Sequence, residues 1–362
     1  MCLLSFITKS FKILLFNNPL FLIFSKSCNC LAILVFVIFS FTAFSQGSSL
    51  PIYSDYLTDN YYLVHPSMAG ASNYNKVRLT ARQQWLDVKD APSLQTLSVN
   101  GRLNDKVGLG GIFYNDSNGR FSQQGVTATF AYHLMFSRST ADLHQLSFGL
   151  SATILQDRFD QAGLNTIVNP DPAIDGSQRS ETLFNSDIGF SYFFLNFFAH
   201  VTFKNLLPQQ RRVFSEIFET KNQRQYFTSV GYTITLPESR WLFEPSVFFQ
   251  HREALNQSNI DFNVKAYYQL NIGQIWGGLS YRTALDGIDF AASGSFELES
   301  QKLQYVSPFF GFNYNRFMVA YTYSYQTNSN VISTGGFHQI TLGYDFGEDR
   351  KRYKCNCPAV NY

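Results

Sequence analysis

KVRLTARQQWLDVKDAPSLQTLSVNG, residues 76–101, holds two runs of alternating side chains, 77–85 and 93–100, around a short polar joint at 86–92. Alternation at period two is the mark of a strand whose successive side chains meet two different surroundings. The same device recurs to the C-terminus. The second surrounding is either a soluble core or a lipid bilayer, and composition bears on which.

Only 15% of the 362 residues are charged, against roughly 25% in ordinary soluble proteins. Aromatics reach 17%, with 37 Phe, 21 Tyr and 3 Trp. Few charges and many rings suit a protein wetted by lipid on one side. A mean hydropathy of −0.11 excludes a bundle of apolar membrane helices, whereas a barrel hides its apolar half by alternation. The formal charge of +2 supplies no clustered basic face, so nucleic acid is not a partner class.

Residues 1–45 read as a leader. They carry Lys9, Lys12 and Lys26 and no acid, and the apolar run LAILVFVIFSF at 31–41 precedes Ala43-Phe44-Ser45. That order predicts a signal peptide cut before Gln46; an uncleaved anchor is the alternative. Cleavage takes the net charge from +2 to −1. Cys2, Cys28 and Cys30 lie in the leader, and Cys355 and Cys357 in the tail 347–362, expected on the periplasmic side. Two tail thiols are too few ligands for a zinc site.

Residues 46–75, QGSSLPIYSDYLTDNYYLVHPSMAGASNYN, have neither period and are punctuated by Pro51, Pro66 and Gly70. They predict an irregular arm or plug ahead of a barrel at 76–346. Beyond the opening hairpin, strands are expected at 106–115, 123–136, 143–157, 183–194, 197–206, 224–236, 241–252, 258–270, 274–283, 303–314, 316–326 and 337–346. Val126, Ala128, Phe130, Tyr132 and Leu134 alternate with Thr127, Thr129, Ala131 and His133, and Phe317, Val319 and Tyr321 with Met318, Ala320 and Thr322. The second face is small and mostly polar, as a lumen would be. Short joints such as Asn104-Asp105, Leu195-Asn196 and Asn315 alternate with longer ones at 158–182 and 207–223. Outer-membrane barrels have short periplasmic turns, long outer loops and even strand counts. Assigning 284–302 to an outer excursion leaves about fourteen antiparallel strands, an all-β transmembrane barrel. A soluble sandwich is the alternative that alternation alone permits.

No catalytic, cofactor or metal motif stands out. His65, His133, His144, His200, His251 and His338 are scattered, without H-x-x-x-H spacing. His133 and Ser147 fall on neighbouring strands, but nothing in the sequence orients them for catalysis. Gly108-Leu109-Gly110-Gly111 lies inside a strand, where glycine relieves crowding. Asn169-Pro170-Asp171-Pro172 with Asp175 reads as ordinary loop chemistry. Tyr321, Tyr323 and Tyr325 suit an interfacial girdle, and Trp85 an anchor beside the first outer joint.

Tyr53-Ser54-Asp55-Tyr56, His65-Pro66-Ser67-Met68-Ala69-Gly70, Arg82-Gln83-Gln84-Trp85, and Ala91-Pro92 with Gln95-Thr96-Leu97-Ser98 occur in an order that resembles the PorP/SprF family. Val107-Gly108-Leu109-Gly110 and Gly336-Phe337-His338-Gln339-Ile340-Thr341-Leu342-Gly343-Tyr344 continue the likeness. Asp55 stands where the family has Gln, His65 where it has Asn, and Ser67-Met68 where it has Ala-Tyr. The resemblance implies a non-enzymatic protein of the Bacteroidetes outer membrane, attached to type IX secretion and gliding. It would assist export or surface attachment of cargo such as adhesins. Partners implied are the cargo's C-terminal domain and other secretion components, with outer-membrane lipid around the barrel. A passive porin is the alternative. The candidate structural or partner-binding set is Tyr53, Tyr56, His65, Pro66, Gly70, Arg82, Gln84, Trp85, Pro92 and Gln95. Arg82 and Gln84 are expected to face the lumen and hold the arm.

Overall fold

The computed structural model describes residues 54–86, 88–136, 143–162, 177–209, 211, 213, 222–291, 298–327 and 335–348. The leader, Tyr53, the loop 169–175 and both tail cysteines lie outside them. Among the described residues, fourteen antiparallel strands close into a barrel. They are β1 (Asn75–Gln84), β2 (Ser93–Arg102), β3 (Val107–Asn118), β4 (Phe121–Met135), β5 (His144–Asp160), β6 (Gln178–Phe194) and β7 (Phe197–Lys204). Next come β8 (Gln225–Tyr232, prolonged by Ile234–Thr235), β9 (Trp241–Arg252), β10 (Gln257–Leu270), β11 (Gly273–Ala284), β12 (Gln304–Tyr314), β13 (Phe317–Gln326) and β14 (Phe337–Phe346). Each pairs with its sequence neighbour, and β1 closes on β14 from Asn75↔Phe346 to Gln84↔Phe337. Closure leaves no unpaired edge, which a lipid-exposed sheet requires.

Every expected strand is found, and the excursion after β11 stays out of the wall. Its segments Ile288–Ala291 and Leu298–Gln301 pair only with each other. Two expectations shift. The ladder of β5 and β6 runs on to Asp160↔Gln178, because Gln156↔Thr182 and Arg158↔Ser180 continue it into what alternation alone made a loop. The rim opposite the short turns also has two tight connections, 119–120 and 253–256, so loop length separates the rims less cleanly than expected.

Outward faces are apolar. On β4, Val126 and Phe130 are exposed, with Tyr132 and Leu134 beside them, while Thr127, Thr129, Ala131 and His133 are buried inward. This apolar span, residues 126–134, matches the roughly 25 Å band of an outer-membrane barrel. Above it the outer wall turns polar. Gln95, Asn115, Gln124, Gln156 and Thr182 are direct cross-strand neighbours on β2–β6. They lie above a row of Leu97, Phe113, Val126, Ile154 and Phe184. Tyr321 and Tyr323 face outward on β13 around His338, the Tyr321 phenol 2.6 Å from His338 Nδ1.

The lumen departs from expectation. It is not small and polar throughout. Phe193, Phe198, Phe227, Phe248, Tyr267, Trp276 and Phe309, on strands β6–β12, are at most 2% exposed and turn inward. They form an aromatic strip along one side of the interior. The arm packs into the same buried cluster, against Phe248 and Phe198.

Candidate functional site

Residues 54–74 run through the lumen as three single turns of 3-10 helix, Asp55–Thr58, Tyr61–Leu63 and Pro66–Met68. Nothing in this stretch repeats at period two, so it cannot join the wall. Its backbone instead closes on itself locally, Leu57 N–H to Ser54 O, Val64 N–H to Tyr61 O, and Ala69 N–H to Pro66 O. Pro66 opens its turn where no amide donor is needed. The arm's hold on the wall therefore runs through side chains.

Three anchors follow one another. Nearest the long-loop rim, Ser54 Oγ donates to Gln339 at 2.7 Å. Tyr56 stacks on Phe248 with ring centroids 4.4 Å apart and donates its phenol to Asp261 at 2.5 Å. Arg282 clasps the same carboxylate, Nε to Oδ1 and Nη2 to Oδ2, each at 2.6 Å. Burial and the neighbouring Asp261 push the Tyr56 phenol well above its ordinary pKa, so it remains a donor.

The second anchor is a buried ion cluster. Asp59 accepts from Lys265 Nζ at 2.7 Å and from the Tyr267 phenol at 3.0 Å. Lys265 also donates to Tyr56 O and lies 3.6 Å from Glu244, both members of that pair being fully buried. Tyr61 reaches Glu244 at 3.4 Å. Such a cluster is tolerated only because each charge has partners.

His65 makes the third. Nδ1 sits 2.8 Å from Thr202 Oγ1 and Nε2 2.8 Å from Ser229 Oγ. Burial first, then repulsion from His200 and Lys204, pushes the imidazole well below its ordinary pKa. It is held neutral, one nitrogen donating and the other accepting. Lys204 caps the turn before it by donating to Leu63 O at 2.9 Å.

Close approach explains the glycines. A Cβ on Gly108 would lie 2.0 Å from Ala69 O, and one on Gly110 2.3 Å from the Tyr62 phenol oxygen. Tyr62 donates to Thr129. Gly70 has φ +68° and its Cβ would meet Gly101 O at 2.6 Å, so no other residue fits there. Arg102 Nε donates to Gly70 O, and Asn100 accepts from Gly70 N–H.

The structure divides the candidate residues. Tyr56, His65, Pro66 and Gly70 lie in the lumen. Arg82 joins them, lining a small cavity with Ser54, Leu57, Arg282 and Tyr305 at the arm's described start. Gln84 and Trp85 end β1 at the long-loop rim; Gln84 N–H donates to Pro92 O and Trp85 N–H to Gly336 O. Gln95 is elsewhere altogether. It faces outward and accepts from Asn115 at 2.7 Å in the polar row above the apolar band. Ser54, Asp59, Tyr61 and Tyr62 belong to the site and were not singled out by sequence.

His133 and Ser147 do meet, Nδ1 to Oγ at 2.8 Å. Both are fully buried, however, and the neighbour on Ser147 Oγ is the amide of Gln145. His133 Nε2 donates to Ala69 O at 3.1 Å. The pair holds the arm. Among the described residues, no three His, Cys, Asp or Glu side chains gather as metal ligands would.

Several solved outer-membrane barrels superpose on the chain. The CymD monoaromatic hydrocarbon channel does so with TM-score 0.43 and 10% identity, over 84% of this chain and 96% of that one. The toluene transporter TodX of P. putida gives 0.43 and 11%, over 80% and 94%. BamA from Haemophilus ducreyi gives 0.39 and 9%, over 75% and 70%. No curated protein matches the sequence. The model of the family described as "Type IX secretion system membrane protein PorP/SprF" matches residues 45–344. The match takes in both the lumen arm and the wall that grips it, and it places the protein in the bacterial outer membrane; the chain belongs to the PorP/SprF family.

Proposed function

We propose that this component of type IX secretion is a non-enzymatic accessory that assists export or surface attachment of a specific cargo, an adhesin being the leading type, with a link to gliding motility. It does so by binding the cargo's C-terminal domain or neighbouring parts of the secretion machinery. The observation that carries the reading is the occupied lumen. A passive porin needs a continuous wet path, and residues 54–74 fill the interior with side chains that are almost all buried. The inner aromatic strip supports the same reading, because a water-filled channel has no use for seven buried rings along its wall. A secretion accessory needs a rigid membrane scaffold and recognition surfaces, and the barrel offers both.

Deleting the gene and comparing surface proteomes tests the proposal. Specific type IX cargo is expected to leave the cell surface while the remaining outer-membrane proteins stay. Unchanged surface cargo would sink it. In planar bilayers the purified protein is expected to show no steady conductance, and a large ohmic conductance would favour the porin instead.

A further inference from the structure

We propose that the lumen is a polypeptide-binding cradle, in which the arm is the resident occupant and a partner's segment of like chemistry takes its place. This deepens the proposed function and rests on it only for the partner's identity.

Part of the wall's polar network closes on itself without the arm. Arg282 keeps Asp261, Lys265 keeps Glu244, and Arg78 keeps Asp345 at 2.7 Å, all pairs between wall strands. Hydroxyls do likewise, with Thr127 on Thr153, Thr129 on Ser151, Thr80 on Thr341 and Ser307 on Ser324. Asp59 is the arm's own addition to the ion cluster. Departure of the arm leaves those ion pairs in place, with Glu244 still 3.6 Å from Lys265. Lys265, Lys204 and Arg102 give up the arm oxygens of Asp59, Leu63 and Gly70, which a new occupant has to replace.

The aromatic strip behaves differently. Tyr56 and His65 lie against Phe248 and Tyr61 against Phe198, in one buried cluster that also holds Leu57, Val64 and Met68 of the arm and Phe227 and Trp276 of the wall. Water is a poor substitute for that packing. A vacated lumen thus presents ion pairs that persist, hydroxyls of Thr202, Ser229 and Tyr267 that the arm had engaged, and an apolar strip, which is the make-up of a peptide groove.

The arm shows what such a groove accepts. It is a segment without a backbone ladder to the wall, among the described residues, folded by its own short turns. It offers tyrosines to Phe248 and Glu244, a carboxylate to Lys265, and small residues opposite Gly108 and Gly149. A partner segment is therefore expected to be tyrosine-rich, with one acid between rings and a small residue further on.

A synthetic, fluorescein-labelled peptide of residues 54–74 serves as the probe on the full-length purified protein. Ser67 and Ser191 have hydroxyl oxygens 2.6 Å apart, so Ser67→Cys with Ser191→Cys locks the arm when oxidised with copper phenanthroline. Asn60→Cys with Ser98→Cys, where the Asn60 amide donates to Ser98 Oγ at 3.3 Å, is a second lock should the first fail to form. Wild type is oxidised in parallel to control for its own cysteines. Because the tethered arm competes at about millimolar effective concentration, Asp59→Ala in the protein is expected to tighten peptide binding by about tenfold or more. The oxidised lock is expected to abolish binding, and reduction to restore it. Equal binding by locked and reduced protein, or none by the Asp59→Ala variant, overturns the cradle. The same lock expressed in cells reports on the proposed function separately. Peptide exchange in vitro with unaltered cargo display in locked cells leaves the cradle standing and removes the secretion role assigned to it.

Discussion

Tyr56 and Asp261, 205 positions apart in sequence, share a 2.5 Å hydrogen bond while Arg282 grips both oxygens of the same carboxylate. The arm thereby borrows an ion pair that the wall already owns. Removing the arm's contribution should loosen the arm and spare the barrel.

Tyr56→Phe tests that separation. It keeps the stack on Phe248 and deletes one hydrogen bond to a charged acceptor, a loss of about 1.5–3 kcal/mol. The arm is expected to become roughly tenfold or more easier to cleave with protease, at about 1.4 kcal/mol per factor of ten. The heat-modifiable shift of the folded barrel on gels should not change. A barrel that itself unfolds early would show that Tyr56 supports the wall.

Lys265→Met is expected to do more damage. Lys265 is the cation between Asp59 and Glu244, and its removal leaves two buried carboxylates facing each other. Breaking such a cluster costs about 3–5 kcal/mol. Adding Asp59→Asn and Glu244→Gln to Lys265→Met should recover much of the loss. A double-mutant cycle on the melting temperature measures the coupling, and additive effects would contradict a shared cluster.

How much of this was legible beforehand depends on the range of the contact. Strands and their inner and outer faces follow from period two alone, so Thr127 and Val126 could be assigned without a structure. Gln95 should have been assigned the same way. Leu94 and Thr96 beside it are buried, and alternation puts it on the outer wall. The aromatic strip left a subtler trace. Phe193-Phe194, Phe197-Phe198, Phe248-Phe249, Tyr267-Tyr268 and Phe309-Phe310 are adjacent rings, and an adjacent pair on a strand gives one ring to each face. The grip on the arm was beyond reach. Asp59 meets Lys265 only because fourteen strands close around it, and no local pattern encodes a partner 206 residues away.

Acid should loosen the third anchor. His65 is neutral in place, its pKa pushed well below 6.5 by burial and by His200 and Lys204. A released arm takes up a proton there near its ordinary value. The seated form is therefore favoured fully above about pH 6.5 and loses up to about 1.4 kcal/mol per unit as pH falls below it. Hydrogen exchange of arm amides at pH 7.5 and 5.5, corrected for intrinsic rates, reads this out. His65→Gln should flatten the difference; an identical pH slope in both proteins would refute the assignment.

Gly149→Val separates the arm from the wall most sharply. On β5 a valine suits the strand, and the residue costs little in intrinsic preference. Its Cβ, however, would lie 2.2 Å from Ser67 N, a backbone atom that cannot swing aside. The barrel is expected to fold and keep its heat-modifiable shift, while the arm loses its seat at the Pro66–Met68 turn and becomes open to protease. Planar-bilayer recording then asks what an unseated arm leaves behind. A polar lumen with one apolar side should conduct where wild type does not, and the current should fall when the peptide of residues 54–74 is added. If Gly149→Val stays silent while its arm is cleaved, something other than the arm blocks the path, and the occupied lumen no longer argues against a porin.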